Sequence, residues 1–589
     1  MKNDAHFVNL YTVEGEELMR DETRVPWNIY PRPHLERDSF LCLNGWWEFA
    51  VSEGNDAPDY REKIRVPFPP ESMLSGIGRA MPKGAKICYR RHFSLDASFV
   101  RDRVILHVGA ADQIAEVYFN GEKIGRHVGG YEHFSFDITE GLKAENVLEI
   151  FVTDELENHV LPYGKQCEKR GGMWYTPISG IWQTVWIESL THAYVREITI
   201  QTDKSGADLT LDLEGDCSVG EVALIRDGEA DLFFPIRDGK ARIDVPDPVY
   251  WSPENPHLYP IVIKVGEDVV KSYFALRTLE IKDVNGMKRI CLNGKPYFFH
   301  GLLDQGYFSD GIFLPATPEG YEQDILTAKK FGFHMLRKHI KVEPETFYYA
   351  CDRLGMVVFQ DMVNNGDYSF FRDTALPTVG IKRLSDKRMH RDERTREAFL
   401  AGMEQTVRQL AHHPSVCYWT IFNEGWGQFD HAAAYEKLKK LDSTRIIDSV
   451  SGWFSSFCRK QTFSDVESLH VYFKPVKTKV VQKPTVLSEF GGYSYKVEGS
   501  SYNLKENYGY KTFREQIPFE EALERLYIGE ICPAISNGLC AAVYTQLSDV
   551  EDETNGIVTY DRRVEKVSEE RMKKIADELF AVFSDSCSH

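Results

Sequence analysis

The chain has 589 residues, 42% of them apolar and 27% charged, and a net charge of -19. That length exceeds one ordinary hydrophobic core and predicts about two to four domains. The acidic balance excludes nucleic acid and anionic membrane surfaces as main partners and is silent on a small neutral ligand.

The opening stretch, "MKNDAHFVNLYTVEGEELMR", carries acidic residues where a signal peptide would have its apolar core. No stretch approaches the roughly 18 uninterrupted apolar residues of a spanning helix. The 11 cysteines are dispersed and form no CxxC pair, so neither a disulfide framework nor a zinc knuckle is expected. A reduced, cytoplasmic protein is the economical reading.

Residues 1–190 hold short strands separated by turns. In "RVILHVGAADQIAEVYFNGEKIG" the second strand turns at Asn120-Gly121, a pairing that favours a tight hairpin. The texture is that of a β-sandwich. Trp174, Trp182 and Trp186 are expected to form its packing seam, with Tyr175 directed toward the barrel. Residues 191–279 continue with alternating strands suited to a small immunoglobulin-like sandwich. Within it, "DPVYWSPENPHLYP" reads as a rigid crossing segment, because each proline fixes its own φ.

From residue 280 to 589 helical stretches alternate with short apolar strands. Eight such strands end in "LLDQG", "MLRKHI", "VVFQDM", "TIFNEG", "IIDSVSG", "SLHVY", "VLSEFGG" and "YTQLSD". That count and length predict a C-terminal (β/α)8 TIM barrel with its chemistry on the C-terminal rim. The competing doubly wound sheet lacks a glycine-rich phosphate loop after the first strand.

On a barrel, Glu424 would end the fourth strand and Glu489 the seventh, both over one opening. Two carboxylates across a cavity suit glycosidic bond cleavage, which needs one protonated donor and one ionised partner. Repulsion and burial would hold their pKa values apart. From the strand pattern alone, each glutamate could equally pair with an arginine and hold the barrel closed.

"FNEGWG" and "PTVLSEFGG" resemble the two catalytic signatures of glycoside hydrolase family 2, which includes β-galactosidases, β-glucuronidases and β-mannosidases. "GKQCEKRGGMWYTPISGIWQTVWIE" resembles the hallmark of the family's sugar-binding domain, and "DRLGMVVFQDM" resembles its barrel strand after the arginine motif. The family order of jelly-roll sandwich, immunoglobulin-like sandwich and barrel covers nearly the whole chain. The resemblance implies an exo-acting retaining hydrolase. Glu424 would then be acid/base, Glu489 nucleophile, and Asn423 a hydrogen-bond partner of the sugar 2-hydroxyl.

Arg337 fits the family's arginine, which would orient the nucleophile and keep it ionised. Lys338 and His339 follow it in a run that departs from the family pattern. Asp304, Asp361, His470, Tyr472 and Tyr493 stand where rim residues should bind sugar hydroxyls, and Tyr493 is placed to hydrogen-bond Glu489. Trp426 and Trp453 are candidate platforms for the sugar's apolar face. Family glucuronidases carry an Asn-x-Lys pair after the eighth strand. Here Asn555 is present and Ile557 stands where the lysine is expected, which leaves Lys338, Lys341 or Arg562 to substitute. A β-D-galactoside is therefore the first expectation. β-Glucuronide, β-glucoside and α-L-arabinopyranoside are alternatives.

A non-catalytic carbohydrate-binding protein would tolerate loss of one glutamate, and both are intact. The adjacent His412 and His413 read as a helix-end cap, and no cluster has metal-ligand spacing. No metal or other cofactor is expected. The expected partner is a small glycoside or oligosaccharide, and a homo-oligomer is compatible with the sequence.

Overall fold

The computed structural model describes residues 6–52, 57–156, 158–375, 386–452 and 463–588. The chain is multidomain, with two β-sandwiches preceding a barrel. In the first sandwich a six-stranded sheet faces a four-stranded one, built from strands between Phe40 and Leu190. Alternating residues such as Leu148, Ile150 and Val152 fill the space between the sheets. The hairpin expected at Asn120-Gly121 forms there, with Phe119 opposite Glu122 and both turn residues at positive φ.

Seven strands between Tyr194 and Phe274 make the second sandwich around its own core. Its proline-rich segment packs against the barrel. Trp251 is fully buried, and its indole N–H donates to the Asp352 carbonyl at 2.8 Å.

Eight parallel strands then form the barrel: β1 (Phe299–Asp304), β2 (Met335–Lys338), β3 (Val357–Asp361), β4 (Val416–Asn423), β5 (Ile446–Ser451), β6 (Glu467–Val471), β7 (Thr485–Gly491) and β8 (Leu539–Thr545). The hydrogen-bonded order is β5-β4-β3-β2-β1-β8-β7-β6. The ends of that series meet where the Asp465 N–H donates to the Ile447 carbonyl.

Strand periodicity decides which rim residues face the opening. Leu303, Met335, Val357 and Phe359 point into the barrel, whereas Leu302, Leu336 and Val358 point outward against the helices. Arg337 and Asp361 share the inward phase. Asp304 and Lys338 share the outward one. Among the described residues, no helix is long and apolar enough to cross a membrane.

Candidate active site

Arg337, at the end of β2, is 1% exposed and organises the floor of the site. Its Nε donates to Asp361 Oδ1 at 3.0 Å, and Nη1 donates to Glu489 Oε1 at 3.0 Å. Nη2 reaches Asn423 Oδ1 at 2.9 Å and Ser451 Oγ at 3.1 Å. One guanidinium therefore ties β3, β4, β5 and β7 together, a use that its rigid fork of donors permits. Burial would raise the Asp361 pKa, but Arg337 and His339 outweigh it and hold the group ionised.

Asp361 in turn fixes His339, whose Nδ1 lies 2.8 Å from Asp361 Oδ2 and 4.0 Å from Glu489 Oε1. Burial, and then the charge of Lys165, push the His339 pKa down. The Asp361 contact orients the ring beside the nucleophile.

Glu489 is 5% exposed. Tyr472 donates to its Oε2 at 2.5 Å and Arg337 to its Oε1. Burial alone would raise its pKa; His470, Arg337, His339 and the Tyr472 hydroxyl overcome that and lower it to about 2. Glu424 sits just past β4 on a backbone with φ of 48°, a left-handed conformation costly for a non-glycine residue. Its side chain is 20% exposed, and His470 Nδ1 lies 2.8 Å from its Oε1. The same Nδ1 is 3.4 Å from Glu489 Oε2. On the other side of the ring, Arg337 Nη1 lies 3.4 Å from His470 Nε2. The ligating atoms of Glu424, His470 and Glu489 all lie within 4.8 Å of one another. Gly452 makes room for that ring, since a Cβ there would come within 2.7 Å of it.

Asn423 uses its Oδ1 to accept from Arg337 and Ser451. Its amide nitrogen makes no hydrogen bond among the described residues, which leaves a donor beside the carboxylate pair.

Several expected rim residues lie elsewhere. Lys338 is fully buried on the outer face of β2, between Asp304 at 2.5 Å and Glu343 at 2.9 Å. Asp304 is spent on Lys338 and the Gly306 N–H. Both are structural because they follow the outward phase of their strands. Tyr493 does not reach Glu489; it packs on Phe513 and donates its N–H to Tyr544. Tyr472, the residue just past β6, takes that place and stacks on Tyr510 at 3.8 Å. Trp453 lies outside the described residues.

Trp426 is 2% exposed, and its ring stacks on Trp174 at 5.1 Å. Trp174 belongs to the first sandwich, so it is a wall of this site rather than part of that domain's seam. Its neighbours come too: Tyr175 donates to Glu553 at 2.7 Å, and Arg170 to Glu551 at 3.1 Å. Lys165 Nζ lies 5.5 Å from the Tyr175 ring centre and 5.9 Å from that of Trp426. No ion pair or hydrogen bond holds that ammonium among the described residues. Sequence reading missed Lys165, Ser451, Tyr510 and Glu553. Lys165 was findable in principle, because it lies inside the "GKQCEKRGGMWY" stretch already singled out.

The model of the "Glycosyl hydrolases family 2, TIM barrel domain" matches residues 280–575. The "galactose-binding domain-like" model of the same family matches 81–171, and a further family 2 model matches 183–277. A β-galactosidase of Thermoanaerobacter pseudethanolicus is 26% identical over 388 residues, 62% of this chain and 48% of that protein. The chain thus spans about half the length of that relative. The β-glucuronidase of Felis catus is 24% identical over 72% of this chain and 70% of its own length. Among solved structures, a β-D-glucuronidase of Dictyoglomus thermophilum superposes with a TM-score of 0.72 at 19% identity, covering 93% of this chain and 98% of that one. A β-galacturonidase of Eisenbergiella tayi bound to galacturonate gives 0.67 at 18% identity, covering 94% and 99%.

Proposed function

Because the chain belongs to glycosyl hydrolase family 2, we propose that it is an exo-acting, retaining glycoside hydrolase with Glu489 as nucleophile and Glu424 as acid/base. The observation that carries this reading is the convergence of the two carboxylates, an oxygen of one within 4.8 Å of an oxygen of the other, in unlike surroundings. Carboxyl groups about 5 to 5.5 Å apart favour direct attack on the anomeric carbon over activation of an intervening water. Glu489 is buried and held ionised by Arg337, the neighbouring histidines and the Tyr472 hydroxyl, as a nucleophile must be. Glu424 is more exposed and can exchange its proton with solvent between the two half-reactions. Glu489 attacks, Glu424 protonates the departing oxygen, and Glu424 then takes a proton from the water that releases the sugar. The Asn423 amide is placed to bind the 2-hydroxyl as charge develops on the ring.

For the sugar, we propose a β-hexuronide in preference to the β-galactoside expected from sequence. Lys338, Lys341 and Arg562 are all spent on buried partners: Glu343 for the two lysines and Asp324 for Arg562. Ile557 is buried in the core. Lys165 is the cation left facing the site, and a sugar carboxylate would give it a partner. Glu553, beside it, has its pKa raised by burial against the pull of Lys165 and two hydrogen bonds, which lessens repulsion of a second carboxylate. The β-glucuronidases and β-galacturonidase among the relatives and similar folds support the same choice. A neutral galactoside keeps every catalytic role but leaves Lys165 without one.

A panel of chromogenic glucuronides, galacturonides, galactosides, glucosides and arabinopyranosides tests both levels. Turnover of a hexuronide with the highest kcat/KM is expected, and Lys165→Met should reduce it by about 10- to 100-fold while leaving residual neutral activities within about twofold. No turnover of any glycoside would remove the enzymatic reading. Preference for a neutral sugar, unchanged by Lys165→Met, would remove only the hexuronide.

A further inference from the structure

Away from the carboxylate pair, three side chains from distant parts of the sequence converge at the junction of the first sandwich and the barrel. His34 lies in the short turn Pro33–Leu35, Glu345 opens the helix Glu345–Leu354, and His412 follows the helix Glu393–Leu410. Their ligand atoms all lie within 4.8 Å of one another. His34 is 4% exposed and Glu345 7%.

His34 Nδ1 and Glu345 Oε2 approach to 2.6 Å, yet the contact lacks hydrogen-bond alignment. All three ligand atoms are buried, and His412 Nε2 makes no hydrogen bond among the described residues. The two imidazole ring centres lie 3.8 Å apart, with the rings tilted by 30°. His34 and Glu345 thus have each other, while the buried His412 Nε2 beside them has no partner, a cost that a cation at their common centre would relieve.

The neighbouring groups do not fill that role. His413 is spent on Asp352 at 2.6 Å and the Tyr273 hydroxyl. Arg32, which lines the same cavity, is paired with Glu188 at 3.1 Å and with Glu197. The backbone around the three ligands is stiff: Pro33 precedes His34, Pro344 precedes Glu345, and Pro414 stands two residues after His412. The triad borders a cavity of about 530 Å³, which leaves the remaining coordination position open.

We propose that His34, Glu345 and His412 form a binding site for a borderline divalent transition-metal cation, of which Zn2+ is the type. Two imidazole nitrogens and one carboxylate oxygen suit such an ion and are a poor match for Ca2+ or Mg2+, which prefer oxygen ligands. The ion would clip the amino-terminal segment of the first sandwich to two helices of the barrel. This site shares no residue with the carboxylate pair and stands whether or not the hexuronide reading holds.

The test uses full-length, tag-free protein stripped with a chelator and dialysed. One equivalent of Zn2+ is expected to bind, measured by elemental analysis and calorimetry, and to raise the thermal midpoint. Co2+ should give a visible absorption band that Zn2+ displaces. His412→Asn removes a partly exposed ligand at little risk to folding, and Glu345→Gln keeps the side-chain shape. Each should weaken binding by about 100-fold or more and abolish the Zn2+-dependent rise in midpoint, with metal-free midpoints near that of the parent. A Glu424→Gln control should bind as the parent does. Failure of the parent to bind Zn2+ at neutral pH would overturn the proposal. So would binding that persists in His412→Asn and Glu345→Gln, or that is lost only in Glu424→Gln.

Discussion

Glu489 and Glu424 differ in their surroundings before any sugar arrives, and their variants should differ in kind. Glu489→Ala should be nearly inactive on every substrate, and azide should rescue it with inverted product. Glu424→Ala should keep appreciable activity on aryl glycosides with good leaving groups and lose about 100-fold or more on poor ones, with azide giving retained product. Following the anomeric proton by NMR checks the retaining step. Tyr472→Phe should act through Glu489, whose pKa is depressed partly by that hydroxyl. Removing the donor raises it, so the acid limb of the pH–rate profile should move to higher pH. The stability linkage has the same origin. A carboxylate depressed from 4.5 to about 2 in the fold contributes stability that is present above about pH 4.5 and lost as pH falls through that window. Tyr472→Phe should narrow the loss, seen as a weaker acid dependence of the unfolding midpoint. Sequence pointed to a tyrosine on the nucleophile but favoured Tyr493, because nearness along the chain stood in for nearness in space. Tyr472 reaches Glu489 from the neighbouring strand.

At the scale of strands and loops, the eight barrel strands were legible because five or six of the apolar runs stop at a polar residue. Their facing was legible as well, through the two-residue period. Once Arg337 points inward, Lys338 must point outward, which the family resemblance obscured. Of the wall contributed by the loop that carries Lys165 and Trp174, only the barrel-facing Tyr175 was legible, since nothing local tells a loop which distant strand ends it will cover. The metal-binding triad is the same case, with ligands at positions 34, 345 and 412 and no spacing to betray them. Trp174→Ala tests the wall. Loss of its stacking on Trp426 removes about 0.5 to 1.5 kcal/mol of packing. KM should rise several-fold, with kcat falling less, because the carboxylate pair is held from beneath by Arg337. Steady-state kinetics on one aryl glycoside, with near-unchanged circular dichroism, would check it.

Across the whole molecule, the domains are joined by buried polar contacts as well as apolar area. Asp352 is fully buried and accepts from the Tyr273 hydroxyl at 2.8 Å, from His413 Nδ1 at 2.6 Å and from the Ser415 N–H at 2.9 Å. One carboxylate thus ties the second sandwich to the barrel. Asp352→Ala leaves those donors unsatisfied and should cost about 3 kcal/mol or more. A lowered thermal midpoint, with kinetic constants of the folded fraction nearly unchanged, is the expected result. The Trp174 stack has a consequence for descent as well. A pocket walled by one domain and floored by another cannot be inherited piecemeal: a gene exchange that replaced the barrel alone would set a stranger's rim under this loop. Recombination should therefore pass the sandwich and barrel on as one block, with crossovers surviving best where neither side meets the sugar.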